Sequence, residues 1–68
     1  MNPKHYLLHI QGDPRDNIYV VTVPELHGCR THGDTHKEAI ENALELIEMW
    51  IEDAQKTGEP IPSPMFVL

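Results

Sequence analysis

The long periodic segment after Thr35 constrains the fold of this chain more than any other feature. From His36 to about Lys56, apolar residues recur at steps of three and four, the spacing that gives an α-helix one apolar side. Thr35 and Glu38 match a capping box, which satisfies free amides at a helix start, and Gly58 is placed to end the helix. The apolar stripe consists of Ala39, Ile40, Ala43, Leu44, Ile47, Ile51 and Ala54. A helix of this kind requires a second layer to cover its stripe.

Two segments before the helix have the pattern of β-strands. The segment Lys4–Ile10 alternates, and Asn17–Val23 is rich in β-branched and aromatic residues. Gln11–Asp16 collects turn-forming residues between them, so the two strands should form an antiparallel hairpin. The alternation places His5, Leu7 and His9 on one side of the first strand and Tyr6, Leu8 and Ile10 on the other.

Shorter segments complete the expected order of elements. Pro24 ends the second strand, and Gly28 permits a turn before a brief third strand at Cys29–His32. After the helix, Glu59–Pro64 should be an extended connector, and Met65–Leu68 should return to the sheet as a final strand through a right-handed crossover. The prediction is one α+β domain over residues 1–68 with the order β-β-β-α-β: a small antiparallel hairpin, a short third strand, one long helix on one sheet face, and a short C-terminal strand.

The second half of the helix should extend past the sheet. A helix from His36 to Lys56 is ~31 Å long at ~1.5 Å per residue, whereas a seven-residue strand covers only ~23 Å. Met49 and Trp50 lie in this overhang, where a large aromatic side chain requires a partner surface. Either the C-terminal tail or a second subunit could supply that surface.

The size of the chain favours self-association. A domain of 68 residues usually requires a disulfide, a structural metal or an oligomeric contact to be stable, and the single Cys29 cannot form an internal disulfide. A dimer or tetramer is therefore expected. The N-terminal segment has no apolar stretch typical of a signal peptide, which predicts a cytoplasmic protein without a membrane span.

The charge balance favours a protein partner over nucleic acid. Eleven acidic against five basic residues give a formal net charge of −6, which repels phosphate backbones and attracts basic proteins. Direct contact with nucleic acid is not expected. The same charge could also serve solubility alone.

A set of short motifs, in this order and spacing, resembles the HicB-type antitoxins over nearly the whole chain. The motifs are Tyr19–Pro24, Leu26, Gly28–Cys29, Gly33–Thr35, Glu38–Ala39, Asn42–Ala43 and Ile61–Pro64. The residues expected to be structural in this pattern are Pro24, Gly28, Cys29, Gly33, Asp34, Thr35 and Glu38. The resemblance implies a partial ribonuclease H-like fold and an antitoxin that blocks a small HicA-like, mRNA-cleaving toxin.

The chain departs from the family pattern in three respects. Glu25 stands where the family commonly has aspartate, and His27 where it commonly has a second proline. The sequence ends without the C-terminal DNA-binding segment that many members carry, so DNA binding cannot be carried over. The domain also occurs without an evident toxin neighbour, and the alternative function is a solitary oligomeric scaffold or ligand-sensing domain of the same fold.

No catalytic residue or cofactor is expected. Two-metal nuclease chemistry requires carboxylates clustered on strands, and Asp13, Asp16 and Asp34 are predicted outside them. Cys29 has no orienting group that would favour nucleophilic chemistry. Cys29, His27, His32 and His36 could form a metal site, but an incidental or structural role for these residues is favoured.

Two surfaces are candidates for partner binding. Glu41, Glu45, Glu48 and Glu52 follow each other at steps of four, three and four, so they form one acidic row on the helix. This row is either a solvated face or a docking surface for a basic toxin. The second candidate is the sheet face away from the helix, predicted to carry His5, Leu7, His9, Ile18, Val20 and Thr22 and to be too apolar to remain uncovered.

Overall fold

Three antiparallel strands and one helix form the domain in the computed structural model, which describes residues 5–62. The elements are β1 (His9–Asp13), β2 (Ile18–Thr22), β3 (Arg30–Gly33) and α1 (His36–Thr57). The sheet order is β1-β2-β3, and α1 covers one sheet face. The predicted α+β class is confirmed. The predicted final strand Met65–Leu68 lies outside the described residues.

The first strand begins and ends later than the alternation predicted. β1 starts at His9, and the predicted turn residues Gln11 and Asp13 pair with Val20 and Ile18. The loop is confined to residues 14–17, and Asn17 closes it with φ 54°, a conformation that asparagine tolerates. Cross-strand pairing therefore outweighs the turn preference of these residues, and β1 is displaced toward the C-terminus.

The register assigns each strand residue to a face. Val21 lies opposite Ile10 and Thr31, and it is completely buried with Ala39 and Ala43 of the helix. Residues directly opposite each other in antiparallel strands share a face, so the alternate positions point away from α1. These positions, which we call the open sheet face, are His9, Gln11, Asp13, Ile18, Val20, Thr22, Arg30 and His32.

The start of α1 is fixed by its cap and by close contact with β3. The Thr35 hydroxyl accepts a hydrogen bond from the Glu38 amide at 3.0 Å. The Glu38 carboxylate accepts from the Asp34 amide at 3.3 Å rather than from the Thr35 amide, so the predicted capping box is formed with a shift of one residue. A Cβ atom at Gly33 would lie only 2.8 Å from the Ala39 Cα, so a glycine is required for this approach.

The second half of α1 packs beyond the sheet. Ile47 and Ile51 are buried in a cluster with residues that precede β1 and follow β2. That cluster is completed by Tyr6, Val23, Leu26 and Cys29, with Leu8, Leu46, Trp50 and Ile61 packed against it. The Trp50 indole N–H donates to the His27 carbonyl at 3.1 Å. The loop after β2, which neither of the two predicted surfaces included, thus supplies the hydrogen-bond partner of Trp50. Ile61 of the tail packs against the same buried cluster as Trp50.

The helix ends where the sequence predicted. Gly58 adopts a left-handed conformation with φ 77°, and its amide donates to the Ala54 carbonyl. Glycine adopts this conformation without a steric penalty, which makes it a common helix terminator.

Candidate partner-binding surfaces

The outer side of α1 carries the acidic row expected from the sequence. Glu41, Glu45, Glu48 and Glu52 are all exposed, and they lie on the side of the helix opposite its buried residues. We call these four residues the acidic stripe. Within residues 5–62 their single ion pair joins Glu52 to Lys56 at 3.5 Å, between two exposed side chains. Such a pair contributes little stability, so the stripe keeps most of its negative charge available.

An apolar side chain lies beside the acidic stripe. Met49 is 64% exposed. It is four residues after Glu45 and three before Glu52, so it neighbours both on the helix surface. A flexible thioether in this position can adapt to an uneven partner surface. The stripe therefore offers charge together with one apolar contact.

The open sheet face is more polar and more basic than the sequence predicted. Its register adds Gln11, Asp13, Arg30 and His32 to the predicted Ile18, Val20, Thr22 and His9. His5 and Leu7, which were predicted on this face, lie in the segment before β1, so they are not part of the sheet. The displaced start of β1 explains this difference. His5 and Leu7 are both exposed, and 42% of the Leu7 surface is accessible.

A shallow groove of about 410 Å³ crosses the open sheet face. Its lining includes Arg15 and Arg30, which are the two arginines of the chain. Arg15 lies 3.5 Å from the Asp13 carboxylate, which also accepts a hydrogen bond from the Arg15 amide at 3.0 Å. Within the described part of the chain, Arg30 has no acidic partner. The groove can therefore accept a carboxylate at Arg30.

The Cys29 thiol is part of the core. It is 3% exposed, and burial raises the pKa of this thiol, which keeps it protonated at neutral pH. A protonated, enclosed thiol is a poor nucleophile. The residue contributes to the apolar cluster, as the sequence favoured.

Two of the three histidines that were considered as metal ligands together with Cys29 lie away from it. His32 lies on the open sheet face, whereas Cys29 is in the core, and the His36 ring stacks on Tyr19 with 4.0 Å between ring centroids. Among residues 5–62, no three metal-binding side chains converge.

The strands carry one carboxylate rather than none. Asp13 was predicted in a loop, but it is the last residue of β1. The other residues of the three described strands are not acidic. A single carboxylate already paired with Arg15 lacks the cluster that two-metal chemistry requires.

Two contacts that the sequence did not suggest hold the N-terminal segment. The Tyr6 hydroxyl donates to the Pro62 carbonyl at 2.6 Å, and the Leu7 amide donates to the Glu25 carboxylate at 2.6 Å. Glu25 is one of the family departures, and its longer side chain is used in this contact. Both contacts join positions far apart in the chain, which no local pattern reveals.

Comparison with known proteins decides the family. A sequence profile described as the HicB_like antitoxin of bacterial toxin-antitoxin systems matches residues 6–67. The chain belongs to the HicB-like antitoxin family. No solved structure matches it, so the partial ribonuclease H-like fold stays a prediction.

The chain has relatives in Thermoplasma acidophilum, in Synechocystis and in a Haemophilus phage. It is 51% identical over 47 residues to a UPF0150 protein of Thermoplasma acidophilum, covering 69% of this chain and 68% of the relative. A UPF0150 protein of Synechocystis is 43% identical over 47 residues, with coverage of 69% and 60%. An uncharacterized 14.9 kDa protein of Haemophilus phage HP1 is 46% identical over 44 residues, which cover 65% of this chain but only 33% of the phage protein.

The residues of the family motif shape the backbone and the core of this chain. Gly28 has a positive φ of 74°, Cys29 is buried, and Gly33 permits the contact between β3 and α1. Asp34, Thr35 and Glu38 exchange the hydrogen bonds of the helix cap. The exposed charged residues are therefore better candidates for partner contact than the motif itself.

The described part of the chain has no helix long and apolar enough to cross a bilayer.

Proposed function

We propose that this chain neutralises a small, basic, HicA-like toxin that cleaves mRNA, by covering the surface with which the toxin binds RNA. Membership of the HicB-like antitoxin family supports the antitoxin role. The acidic stripe is the observation that carries the proposed contact. Since mRNA is the toxin's substrate, the proposal also places both proteins in the cytoplasm.

The acidic stripe is complementary in charge to a surface that binds RNA. Residues three and four apart on a helix have Cβ atoms about 5–6 Å apart, so the four carboxylates form a closely spaced negative row. A toxin that attracts phosphates attracts such a row by the same electrostatic complementarity. Covering this surface requires no chemistry by the antitoxin.

The test uses a HicA-like toxin, taken from the gene next to this one if a small basic protein is encoded there. The double variant Glu45→Lys, Glu48→Lys should weaken toxin binding by roughly 10- to 100-fold and restore RNA cleavage, because it reverses the charge at the centre of the stripe. Calorimetry at several salt concentrations measures the affinity, and binding by the unchanged chain should weaken steeply as salt rises.

Asp53→Lys, Glu59→Lys is the matched control. It makes the same change in net charge at two exposed positions outside the stripe. This variant should keep most of the affinity. Toxin binding that survives reversal of the stripe would contradict the proposed contact, provided that circular dichroism shows a folded variant.

The alternative is a solitary oligomeric scaffold or ligand-sensing domain. The open sheet face, with its groove and its exposed Arg30, favours it, because such a surface suits self-association. Absence of a basic partner gene, together with failure to protect RNA from HicA-like toxins, would favour this alternative.

A further inference from the structure

The open sheet face and the acidic stripe carry opposite charges on opposite sides of the domain. The two arginines line the groove on the sheet face. Arg15 is paired with Asp13 in the same groove, so Arg30 supplies the positive charge that has no acidic partner among residues 5–62, and exposed His9 adds a further hydrogen-bond donor. The stripe lies on the outer side of α1, whose inner side packs on the other face of the sheet. One molecule cannot bring these two surfaces together, but two copies can.

The two surfaces also match in size. The stripe from Glu41 to Glu52 is ~18 Å long at ~1.5 Å per residue. The five-residue strands β1 and β2 are ~17 Å long at ~3.3 Å per residue. Three strands at ~4.8 Å spacing give a width of ~14 Å, which accommodates one helix of ~10 Å diameter.

Apolar groups lie within both charged surfaces. Ile18 and Val20 are only half-buried on the open sheet face, and Met49 is exposed beside the stripe. A helix laid along the sheet would bring Met49 close to these aliphatic side chains while the glutamates reach Arg30. The contact would remove apolar surface from water and pair charges at the same time.

From this complementarity we propose that the acidic stripe of one copy docks on the open sheet face of a second copy. The contact is heterologous, because each copy contributes a different surface. Such contacts continue from copy to copy until a ring closes. The proposal concerns self-association alone and does not depend on the existence of a toxin.

Sedimentation velocity of the full chain tests the self-association. At about 0.1 M NaCl the weight-average sedimentation coefficient should rise with protein concentration. It should either pass the value for a dimer or level off at the value for a closed ring. At about 1 M NaCl, where the Debye length falls from ~10 to ~3 Å, it should move toward the monomer value. A monomer at all concentrations up to the solubility limit would overturn the proposal, as would a dimer that is insensitive to salt.

Charge reversal identifies the two surfaces. Arg30→Glu changes only the sheet face, and Glu45→Lys, Glu48→Lys changes only the stripe, so each variant alone should be monomeric. An equimolar mixture should regain association, starting with a 1:1 heterodimer, because the unchanged stripe of one variant can dock on the unchanged sheet face of the other. An interface that uses the same surface on both copies cannot give this result.

Matched controls distinguish the effect of charge within the proposed interface from the effect of the net charge of the protein. Lys37→Glu makes the same charge change as Arg30→Glu at an exposed position on α1, and Asp53→Lys, Glu59→Lys matches the stripe variant. Both controls should associate at least as strongly as the unchanged chain. Should Arg30→Glu fail to fold, Arg30→Gln replaces it and should reduce association. A mixture that stays monomeric, or a stripe variant that associates normally, would refute the contact.

Discussion

Single residues of this small domain join segments that are distant in the sequence. Tyr6 connects the N-terminal segment to the Pro62 carbonyl, Glu25 holds the Leu7 amide, and Trp50 connects α1 to the His27 carbonyl. Each of these contacts lies around the cluster beyond the sheet, where no strand pairing orders the backbone. These side-chain hydrogen bonds add to backbone hydrogen bonds of the loop after β2, such as that from the Val23 amide to the Cys29 carbonyl at 3.0 Å.

Tyr6 should make the stability of the domain sensitive to alkaline pH. Burial, and secondarily the nearby Glu25 carboxylate, raise the pKa of its hydroxyl above the usual 10.0. A pKa that is raised on folding stabilises the domain below the unfolded value, and this stabilisation is lost as the pH rises through the folded value. The free energy of unfolding should therefore decrease above about pH 10.

Tyr6→Phe tests this contribution. The variant should lose about 1 kcal/mol at pH 7, because the hydrogen bond to Pro62 is removed, and its stability should decline less between pH 10 and 11. Urea unfolding at each pH measures both effects. A Tyr6→Phe variant whose stability declines as steeply as that of the unchanged chain would refute the assignment.

At the scale of elements, α1 has two halves with different supports. Its first half packs on the sheet through Ala39 and Ala43, where small side chains allow close approach. Its second half packs on the loop after β2 and on the N-terminal segment through Ile47 and Ile51. The helix of 22 residues, ~33 Å long, therefore joins two apolar clusters into one core.

Close contact between β3 and α1 should make Gly33 intolerant of a side chain. Gly33→Ala would place a methyl group against the Ala39 backbone and should destabilise the domain by about 1–3 kcal/mol, because backbone cannot move as a side chain can. Thermal and urea unfolding measure the loss.

Gly12→Ala is the control for this prediction. Its new methyl group would lie 3.7 Å from the Tyr19 ring, an ordinary packing distance, so its effect should be much smaller. Equal losses for the two variants would show that the close approach at Gly33 is not what determines stability.

The elements that sequence patterns predicted are those with local causes. The cap at Thr35, the apolar side of α1 and its end at Gly58 depend on residues within one or two helical turns. The cap and the end are confirmed, and of the seven residues predicted on the apolar side five are buried, whereas Ile40 and Leu44 are only partly buried. β1 was misplaced because the pairing of Gln11 with Val20 is a cross-strand effect that outweighs turn preference.

The two candidate surfaces also differ in whether a local sequence pattern reveals them. Acidic residues at helical spacing can be identified on one face without coordinates, so the sequence indicated the whole stripe. The open sheet face depends on the register between strands. Arg30 and His32 were therefore missed on that face, and His5 and Leu7 were wrongly included in it.

At the scale of the whole molecule, the domain separates its charges. The net charge is −6, yet both arginines line the groove of the sheet face while the stripe lies across α1. If both proposed contacts form, the toxin and the second copy require the same stripe. They must then compete for it.

This competition can be measured directly. Addition of a catalytically inactive toxin should convert self-associated antitoxin into small complexes, because a stripe covered by toxin cannot dock on another sheet face. Sedimentation velocity with a fluorescently labelled antitoxin would follow the change. Larger mixed assemblies that keep the antitoxin–antitoxin contact would show that the two partners use different surfaces.

The position of the stripe on α1 links partner binding to the rate at which the protein is degraded. α1 is the single α-helix among residues 5–62. It supplies five of the ten buried apolar residues and all four residues of the acidic stripe. A partner bound to the outer side of α1 binds only the folded chain. At a free partner concentration 100 times the dissociation constant, this binding adds about 2.7 kcal/mol to the free energy of unfolding. Proteases degrade unfolded chains, so an occupied copy should be turned over more slowly than a vacant one.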